Sequence, residues 1–159
     1  MPQPALHDIA ADHFSVSVPD LEAAIAWYSD IFGFTVEFRF DVDALPAKVA
    51  ILHSPALRLE LWQVQGCAPV PASNREPDSD LKTCGTKHMA FSVPDLQGHL
   101  KELVKRGVDI VAVQRNPAGP MLPDPDPTAP GKDFASAAFI RDPAGTLIEL
   151  INRPLPPSK

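Results

Sequence analysis

The chain repeats a nine-residue motif, and this internal repeat limits the fold more than any other feature of the sequence. The two copies occupy residues 13–21 and 88–96, with His, Ser, Val, Pro, Asp and Leu at the same offsets in both. Each copy opens a segment that closes on an apolar stretch with one glutamate, Glu60 in the first and Glu149 in the second. The sequence therefore predicts two copies of one supersecondary unit.

Each copy predicts the same order of secondary structure. Alternating apolar residues indicate a strand, and the following Pro-Asp pair ends that strand and favours a helix N-terminus. Gly33 and Gly107 then mark the ends of the two helices, and three further strands follow each helix. The predicted strands cover residues 13–18, 34–40, 48–53 and 57–64 in the first copy, and 88–93, 109–114, 134–141 and 146–152 in the second. Both copies are therefore predicted to be βαβββ modules, which gives an α+β fold with curved mixed sheets.

The chain is long enough for one domain, which we place over residues 1–159. Module 1 covers about residues 10–65, a linker rich in Pro, Ser, Asp and Asn covers residues 66–84, and module 2 covers about residues 85–154. A second irregular stretch, residues 116–133, contains six prolines. A loop of this length inside a compact domain is typical of a functional lid or of a disordered segment.

Composition excludes two classes of function. A net charge of −6 without any basic run argues against nucleic-acid binding, which needs clustered Lys and Arg. No apolar stretch has transmembrane length, and the first residues lack the pattern of a secretory signal, so we expect no membrane partner. The two cysteines, Cys67 and Cys84, favour a reducing compartment over a structural disulfide, and we expect a cytoplasmic protein.

Strand periodicity predicts which way the chemically interesting side chains point. His13 shares a face with serines rather than with the apolar residues, whereas Glu149 shares its face with Leu147 and Ile151. A carboxylate on an apolar strand face needs a partner, because burying an isolated charge is costly. A lone strand histidine or glutamate is usually structural or solvated, but equivalent positions in two repeats favour a single metal site. The predicted ligands are His13, Glu60, His88 and Glu149.

Several motifs together resemble those of a known superfamily. They are His13 with the following Ser-Val-Pro-Asp-Leu, Leu-Glu60-Leu, His88 with Phe-Ser-Val, and Asp142-Pro-Ala-Gly followed by Ile-Glu149-Leu. The chain resembles the vicinal oxygen chelate superfamily from about residue 12 to residue 153. This superfamily includes glyoxalase I, methylmalonyl-CoA epimerase, extradiol dioxygenases, and fosfomycin and bleomycin resistance proteins.

The resemblance implies an enzyme of the glyoxalase type. The order His13, Glu60, His88, Glu149 is a complete match to glyoxalase I-like metal sites, which implies one divalent ion: Ni, Zn, Co or Mn. The implied reaction is that of a lyase or isomerase, in which Glu149 or Glu60 moves a proton next to a carbonyl of a small substrate that chelates the metal through vicinal oxygens. A homodimer is also implied, and relatives build the site either from the two modules of one chain or from two subunits.

Two other interpretations stay open at this stage. An Fe(II) extradiol-type dioxygenase would use His13, His88 and Glu149 as its facial triad. A resistance protein that binds a small molecule without turnover would line an apolar cleft with Trp27, Trp62 and residues 34–40. For a glutathione-derived substrate, the resemblance offers Arg39 and Lys132 as contacts.

Overall fold

The chain folds into two compact units, seen in a computed structural model that describes residues 10–55 and 57–155. The division falls between Cys67 and Ala68. Each unit contains one four-stranded mixed sheet, and the two sheets have the same strand order. The prediction of an α+β fold built from two βαβββ modules is therefore confirmed.

The first unit consists of one helix and four strands. They are β1 (His13–Ser17), α1 (Leu21–Phe32), β2 (Thr35–Val42), β3 (Ala47–His53) and β4 (Arg58–Val64). The sheet order is β1-β4-β3-β2, with β1 parallel to β4 and the other neighbours antiparallel. Strands β1 and β2 are therefore the edges of this sheet, and β1 lies directly beside β4.

Helix α1 begins and ends where the sequence predicts. The Asp20 carboxylate accepts a hydrogen bond from the backbone N–H of Ala23 at 3.0 Å, which caps the first turn. Gly33 adopts a left-handed conformation with φ of 72°, a conformation that glycine reaches without steric cost. The buried side chains of the helix are those of Leu21, Ala24, Ile25 and Tyr28.

Alternation along the strands separates an apolar face of the sheet from a polar one. Val16, Leu59 and Leu61 are buried, while their sequence neighbours on the opposite face are more exposed. Phe14 lies on the same face of β1 as Val16, yet it is 43% exposed because it lies near the start of an edge strand. His13 and Glu60 lie on the polar face, as the periodicity predicted.

The second unit repeats this plan after a short structured segment. Its elements are a 3₁₀ turn (Ala72–Asn74), α2 (Pro77–Asp80), β5 (Met89–Val93), α3 (Leu96–Lys105), β6 (Asp109–Gln114), β7 (Ala137–Arg141) and β8 (Leu147–Asn152). The sheet order β5-β8-β7-β6 again pairs the first strand of the module in parallel with the last. Strand β7 begins three residues later than predicted, and before it the Phe134 carbonyl oxygen accepts a hydrogen bond from the Arg115 side chain at 2.8 Å.

The predicted linker contains structure that its composition did not indicate. Within it, the Asp80 carboxylate is 4% exposed, lies 3.6 Å from Lys87 Nζ and accepts a hydrogen bond from Asn74 at 2.8 Å. Lys87 also donates to the Asp80 carbonyl oxygen at 2.8 Å. These contacts fasten the segment to the residue that immediately precedes His88.

The proline-rich loop, residues 116–133, is held against the edge strand of the second sheet. Leu122 and Val113 exchange backbone hydrogen bonds of 2.8 and 3.3 Å, which extends the sheet by one bridge. Arg115 donates to Asp124 at 2.8 Å, and Lys132 donates to the same carboxylate. Burial opposes the charged form of Asp124, but the hydrogen bonds from Lys132 and Arg115 outweigh it, so its pKa is lowered.

Among the described residues, no helix combines the length and the apolar character that crossing a lipid bilayer requires.

Candidate metal-binding residues

The first histidine–glutamate pair lies on the neighbouring strands β1 and β4. Their parallel register sets Ser15 opposite Glu60 and His13 opposite Arg58, which leaves the histidine and the glutamate two residues apart on one face. His13 Nε2 lies 3.6 Å from Glu60 Oε2, and Ser15 Oγ donates to the same oxygen at 2.9 Å. The Glu60 carboxylate is therefore anchored by a neighbouring hydroxyl while it faces the imidazole.

The other ring nitrogen of His13 contacts a carboxylate that is not among the predicted ligands. Nδ1 donates to Asp12 Oδ2 at 2.8 Å. This hydrogen bond lowers the pKa of Asp12, and it assigns the proton of a neutral imidazole to Nδ1. Nε2 then presents its lone pair toward Glu60. A carboxylate behind a histidine ligand is the usual support of a metal site, so an acidic residue directly before His13 was the available signal.

Arg58 belongs to a separate ion pair on the same face. Its guanidinium donates two hydrogen bonds of 2.8 Å to the carboxylate of Glu37. The pKa of Glu37 is lowered by these hydrogen bonds, and the pKa of Arg58 is raised by them. Arg58 Nη1 also lies 3.7 Å from Asp12 Oδ1. Because Arg58 pairs with Glu37, it does not neutralise Glu60.

An open pocket of about 330 Å³ adjoins the first pair. Its polar side includes His13, Glu60, Asp12 and Arg58. Its apolar side consists of Phe38, Phe40 and Ile51.

The second pair lies at the equivalent place in the second unit. His88 immediately precedes β5, and Glu149 lies on β8 beside Ala90 and opposite Phe139 of β7. His88 Nε2 lies 3.2 Å from Glu149 Oε2. The His88 ring also meets Phe139 edge-on, with ring centroids 4.9 Å apart. The predicted apolar surroundings of Glu149 are present, since Leu147 is buried and Ile151 is half-buried.

Each unit therefore brings one predicted imidazole and one predicted carboxylate together. Protein nitrogen and oxygen ligands lie about 2.0–2.2 Å from zinc, so two donors to one ion are separated by about 3.0–3.5 Å. The separations of 3.6 and 3.2 Å are close to this range, and the donor types suit a divalent metal. Within residues 10–55 and 57–155, however, no three His, Cys, Asp or Glu side chains gather into a group that could hold a metal ion.

The two residues proposed for glutathione are engaged elsewhere. Arg39 forms hydrogen bonds with Glu22 of α1, on the helix-bearing side of the first sheet. Lys132 binds Asp124 within the proline-rich loop. Neither cation lines the pocket beside His13 and Glu60.

The aromatic residues named for an apolar cleft divide between two locations. Trp27 packs edge-on against Tyr28 and Phe32 within α1, with centroid distances of 4.9 and 5.7 Å. Trp62 packs edge-on against Phe40 at 6.3 Å, on the face of the first sheet that carries Glu60.

Comparison with protein families gives one match that spans most of the chain. The family described as the Glyoxalase/Bleomycin resistance protein/Dioxygenase superfamily matches residues 10–150. No curated protein matches the chain.

Solved structures with a similar fold come from several branches of that family. A glyoxalase family protein from Enterococcus faecalis is 17% identical with a TM-score of 0.67, covering 90% of this chain and 97% of that one. The trypanothione-dependent glyoxalase I of Leishmania major is 23% identical with a TM-score of 0.59, covering 88% and 84%. The fosfomycin resistance protein FosX of Listeria monocytogenes is 12% identical with a TM-score of 0.59, covering 93% and 94%. At these identities the similarity shows the shared fold.

Proposed function

Because the chain belongs to the glyoxalase, bleomycin resistance protein and dioxygenase superfamily, we propose that it is a divalent-metal-dependent enzyme of the glyoxalase type. The proposed reaction is proton transfer next to a carbonyl, carried out on a small substrate with two vicinal oxygens. The proposed metal ligands are His13, Glu60, His88 and Glu149. This assignment makes the protein a lyase or an isomerase.

One observation carries the proposal: both sheets hold an imidazole against a carboxylate at the same place. The separations are 3.6 Å for His13 and Glu60, and 3.2 Å for His88 and Glu149. In each unit the glutamate lies on the last strand, and the histidine lies at the start of the parallel strand beside it or immediately before it. A purely structural ion pair has no need to recur in both repeats, whereas a ligand set contributed by both repeats does.

When bound, a divalent ion supplies Lewis-acid stabilisation of the negative charge that develops on the substrate oxygen. Asp12 holds His13 in the tautomer whose Nε2 can donate a lone pair. Ser15 holds the Glu60 carboxylate by a hydrogen bond. These two contacts fix the orientation of both donors in the first unit.

We assign the proton transfer to Glu149 rather than to Glu60. Glu60 is anchored by Ser15 in addition to facing His13. Glu149 has His88 as its hydrogen-bonding neighbour and otherwise lies among apolar side chains. Each carboxylate accepts one hydrogen bond, from Ser15 at 2.9 Å for Glu60 and from His88 at 3.2 Å for Glu149. The bond to Glu149 is the longer, and His88 cannot donate it from Nε2 while that nitrogen binds a metal. Glu149 can therefore move toward a substrate proton at a smaller cost, and its apolar neighbours favour a general base.

The first test is the metal content of the purified protein, measured by elemental analysis. We expect near-stoichiometric Ni, Co, Mn or Zn in the native protein and its loss in the double variant His13→Ala/His88→Ala. The matched control is His53→Ala/His99→Ala, which removes two exposed histidines outside the pairs and should retain the metal. Circular dichroism of both double variants checks that the fold is intact.

The outcomes separate the candidate functions. Stoichiometric iron that the histidine variant loses would replace the isomerase with the dioxygenase. Absence of metal from the native protein, even after reconstitution with each of these ions, would reject both enzymes and leave a binding protein.

A further inference from the structure

The pocket beside the first histidine–glutamate pair has one strongly apolar wall. Phe38 and Phe40 lie two residues apart on β2, with stacked rings 5.9 Å between centroids. Their exposed fractions are 52% and 38%, so both rings are accessible. Ile51 of β3 lies opposite Glu60 in the strand register and forms the floor between this wall and that glutamate. Exposed aromatic side chains in a concave site are typical of ligand binding.

The polar side of the pocket offers no cation that is free to bind a substrate carboxylate. Among the described lining residues, Arg58 is the one lysine or arginine. Its Nε and Nη2 donate to Glu37 at 2.8 Å each, and its Nη1 lies 3.7 Å from Asp12 Oδ1. Asp12 and Glu60 add negative charge to the same lining. A ligand with additional carboxylates would meet repulsion and would have to displace the Glu37 pair.

The geometry points to a substrate whose non-chelating part is an uncharged aromatic group that lies against Phe38 and Phe40. This inference rests on the proposed function, because the vicinal oxygens of the substrate are assigned to the metal held by the histidine–glutamate pairs. It makes Phe38 and Phe40 specificity-determining residues. It also disfavours a peptide thiol adduct such as that of glutathione, whose two carboxylates find no available cation among the described residues that line this pocket.

Three hydroxamic acids test the inference, because they share one chelating group. Acetohydroxamic acid lacks a ring, benzohydroxamic acid adds a phenyl group, and 4-carboxybenzohydroxamic acid adds a charge to that ring. Titration calorimetry on the zinc-loaded protein should show benzohydroxamate binding about tenfold more tightly than acetohydroxamate. The carboxylated probe should lose most of this advantage.

Variants locate the preference on the aromatic wall. Phe38→Ala/Phe40→Ala should reduce the ratio between the phenyl and methyl probes to about one, while affinity for acetohydroxamate changes little. Phe134→Ala is the matched control, since it removes a ring that is 49% exposed in the second unit, and the ratio should stay at its native value. Equal affinities of the native protein for the two probes, or a preference that survives the double substitution, would overturn the inference.

A titration of the metal-free protein separates this inference from the proposed function. Trp62 contacts Phe40, so its indole N–H resonance reports on a ring that enters the pocket; Trp62→Phe identifies this signal beside that of Trp27. Benzohydroxamate should shift the Trp62 resonance, and acetohydroxamate should not. A protein that binds no metal but shows this shift refutes the function and supports the aromatic pocket. A protein that binds metal but shows no preference for the phenyl probe supports the proposed function and refutes this inference.

Discussion

The two modules share their topology but differ on the sheet face that carries the histidine–glutamate pair. In the first, Glu60 lies beside Ser15, with Arg58 two residues away on the same strand. In the second, Glu149 lies beside Ala90 and opposite Phe139, and Leu147 replaces the arginine. The backbone is therefore repeated, whereas the environment of the carboxylate is not. Equivalent positions in a repeat can accordingly be given different chemical tasks by their neighbours.

The same faces also differ in how they are covered. In the first unit the face opens into a pocket of about 330 Å³. In the second, Met121 of the proline-rich loop packs against a buried cluster formed by Val111, Ala112, Phe139 and Leu147. The Glu149 side chain itself stays 22% exposed, against 16% for Glu60, so it remains accessible beside this apolar cluster. The open face of the first unit suits a substrate body.

Neutralising each glutamate in turn tests most directly whether the two carboxylates differ in their roles. Glu149→Gln should lower turnover by about 10²–10⁴-fold, because the amide cannot accept the proton. It should still retain some metal. Glu60→Gln is the paired substitution in the first unit, and it should reduce metal affinity more than turnover at saturating metal.

The measurement is single-turnover kinetics together with elemental analysis on both variants. Full activity of Glu149→Gln would refute its assignment as the base. Loss of turnover in Glu60→Gln alone, with metal at native stoichiometry, would transfer that role to the first unit.

A second difference between the units is the proline-rich loop, which only module 2 has. We expect Asp124→Asn to destabilise the fold by about 2 kcal/mol at neutral pH, because the amide cannot replace a carboxylate that receives hydrogen bonds from Arg115 and Lys132. The folded-state pKa of Asp124 lies below its ordinary value of 3.8. The contribution of the Asp124 carboxylate to the free energy of unfolding is therefore complete above about pH 4, and it disappears as the pH falls through the lowered pKa.

Urea denaturation at pH 7 and at pH 3, followed by circular dichroism, checks this prediction. The difference in unfolding free energy between the native protein and the variant should narrow at the lower pH, because the carboxylate of the unfolded chain takes up a proton below about pH 4. Asp133→Asn removes an exposed carboxylate of the same loop and should change stability by less than about 0.5 kcal/mol. An Asp124 effect that is the same at both pH values would contradict the electrostatic explanation.

The smallest expected effect concerns the residue before each histidine, which is Asp12 in one module and Lys87 in the other. Asp12→Ala should weaken metal affinity about tenfold, because His13 loses the acceptor that fixes its tautomer. Asp12→Asn, whose amide oxygen can still accept from Nδ1, should recover part of the loss. Competition with a chelator of known affinity measures both variants.

The control for this series is Asp43→Ala, which removes an exposed carboxylate from the turn between β2 and β3. Asp43→Ala should leave metal affinity unchanged, because it lowers the negative charge of the protein by the same amount but does not touch His13. Equal losses from Asp12→Ala and Asp43→Ala would show that Asp12 acts only through net charge.

Much of the fold could be predicted because it depends on local patterns. Alternation of apolar residues located all eight strands to within a few residues, and it placed His13 and Glu60 on the face opposite Leu59 and Leu61. The partners of the charged side chains could not be predicted in the same way. Glu37 and Arg58 lie on strands that are not neighbours in the sheet, and their ion pair depends on how β2 bends at its bulge near Glu37.

The two copies of Ser-Val-Pro-Asp-Leu show where local sequence stops being decisive. Asp20 caps α1 from an extended backbone, with φ of −138°. Asp95 caps α3 from a left-handed one, with φ of 50°. The carboxylate accepts from the third following N–H in both, so the sequence determines the cap itself.

The two helix entries also differ in their contact with a distant residue. Gln63 accepts a hydrogen bond from the Leu21 N–H at 3.0 Å, whereas Asn152, at the equivalent position of β8, donates to the Ala135 carbonyl oxygen instead. The repeat, the order of helices and strands along the chain, and the strand face that carries His13 and Glu60 could be predicted, because periodicity and capping act over a few residues. The groups that surround each carboxylate, and the face that stays open, depend on contacts between residues far apart in the chain, so short sequence patterns did not reveal them.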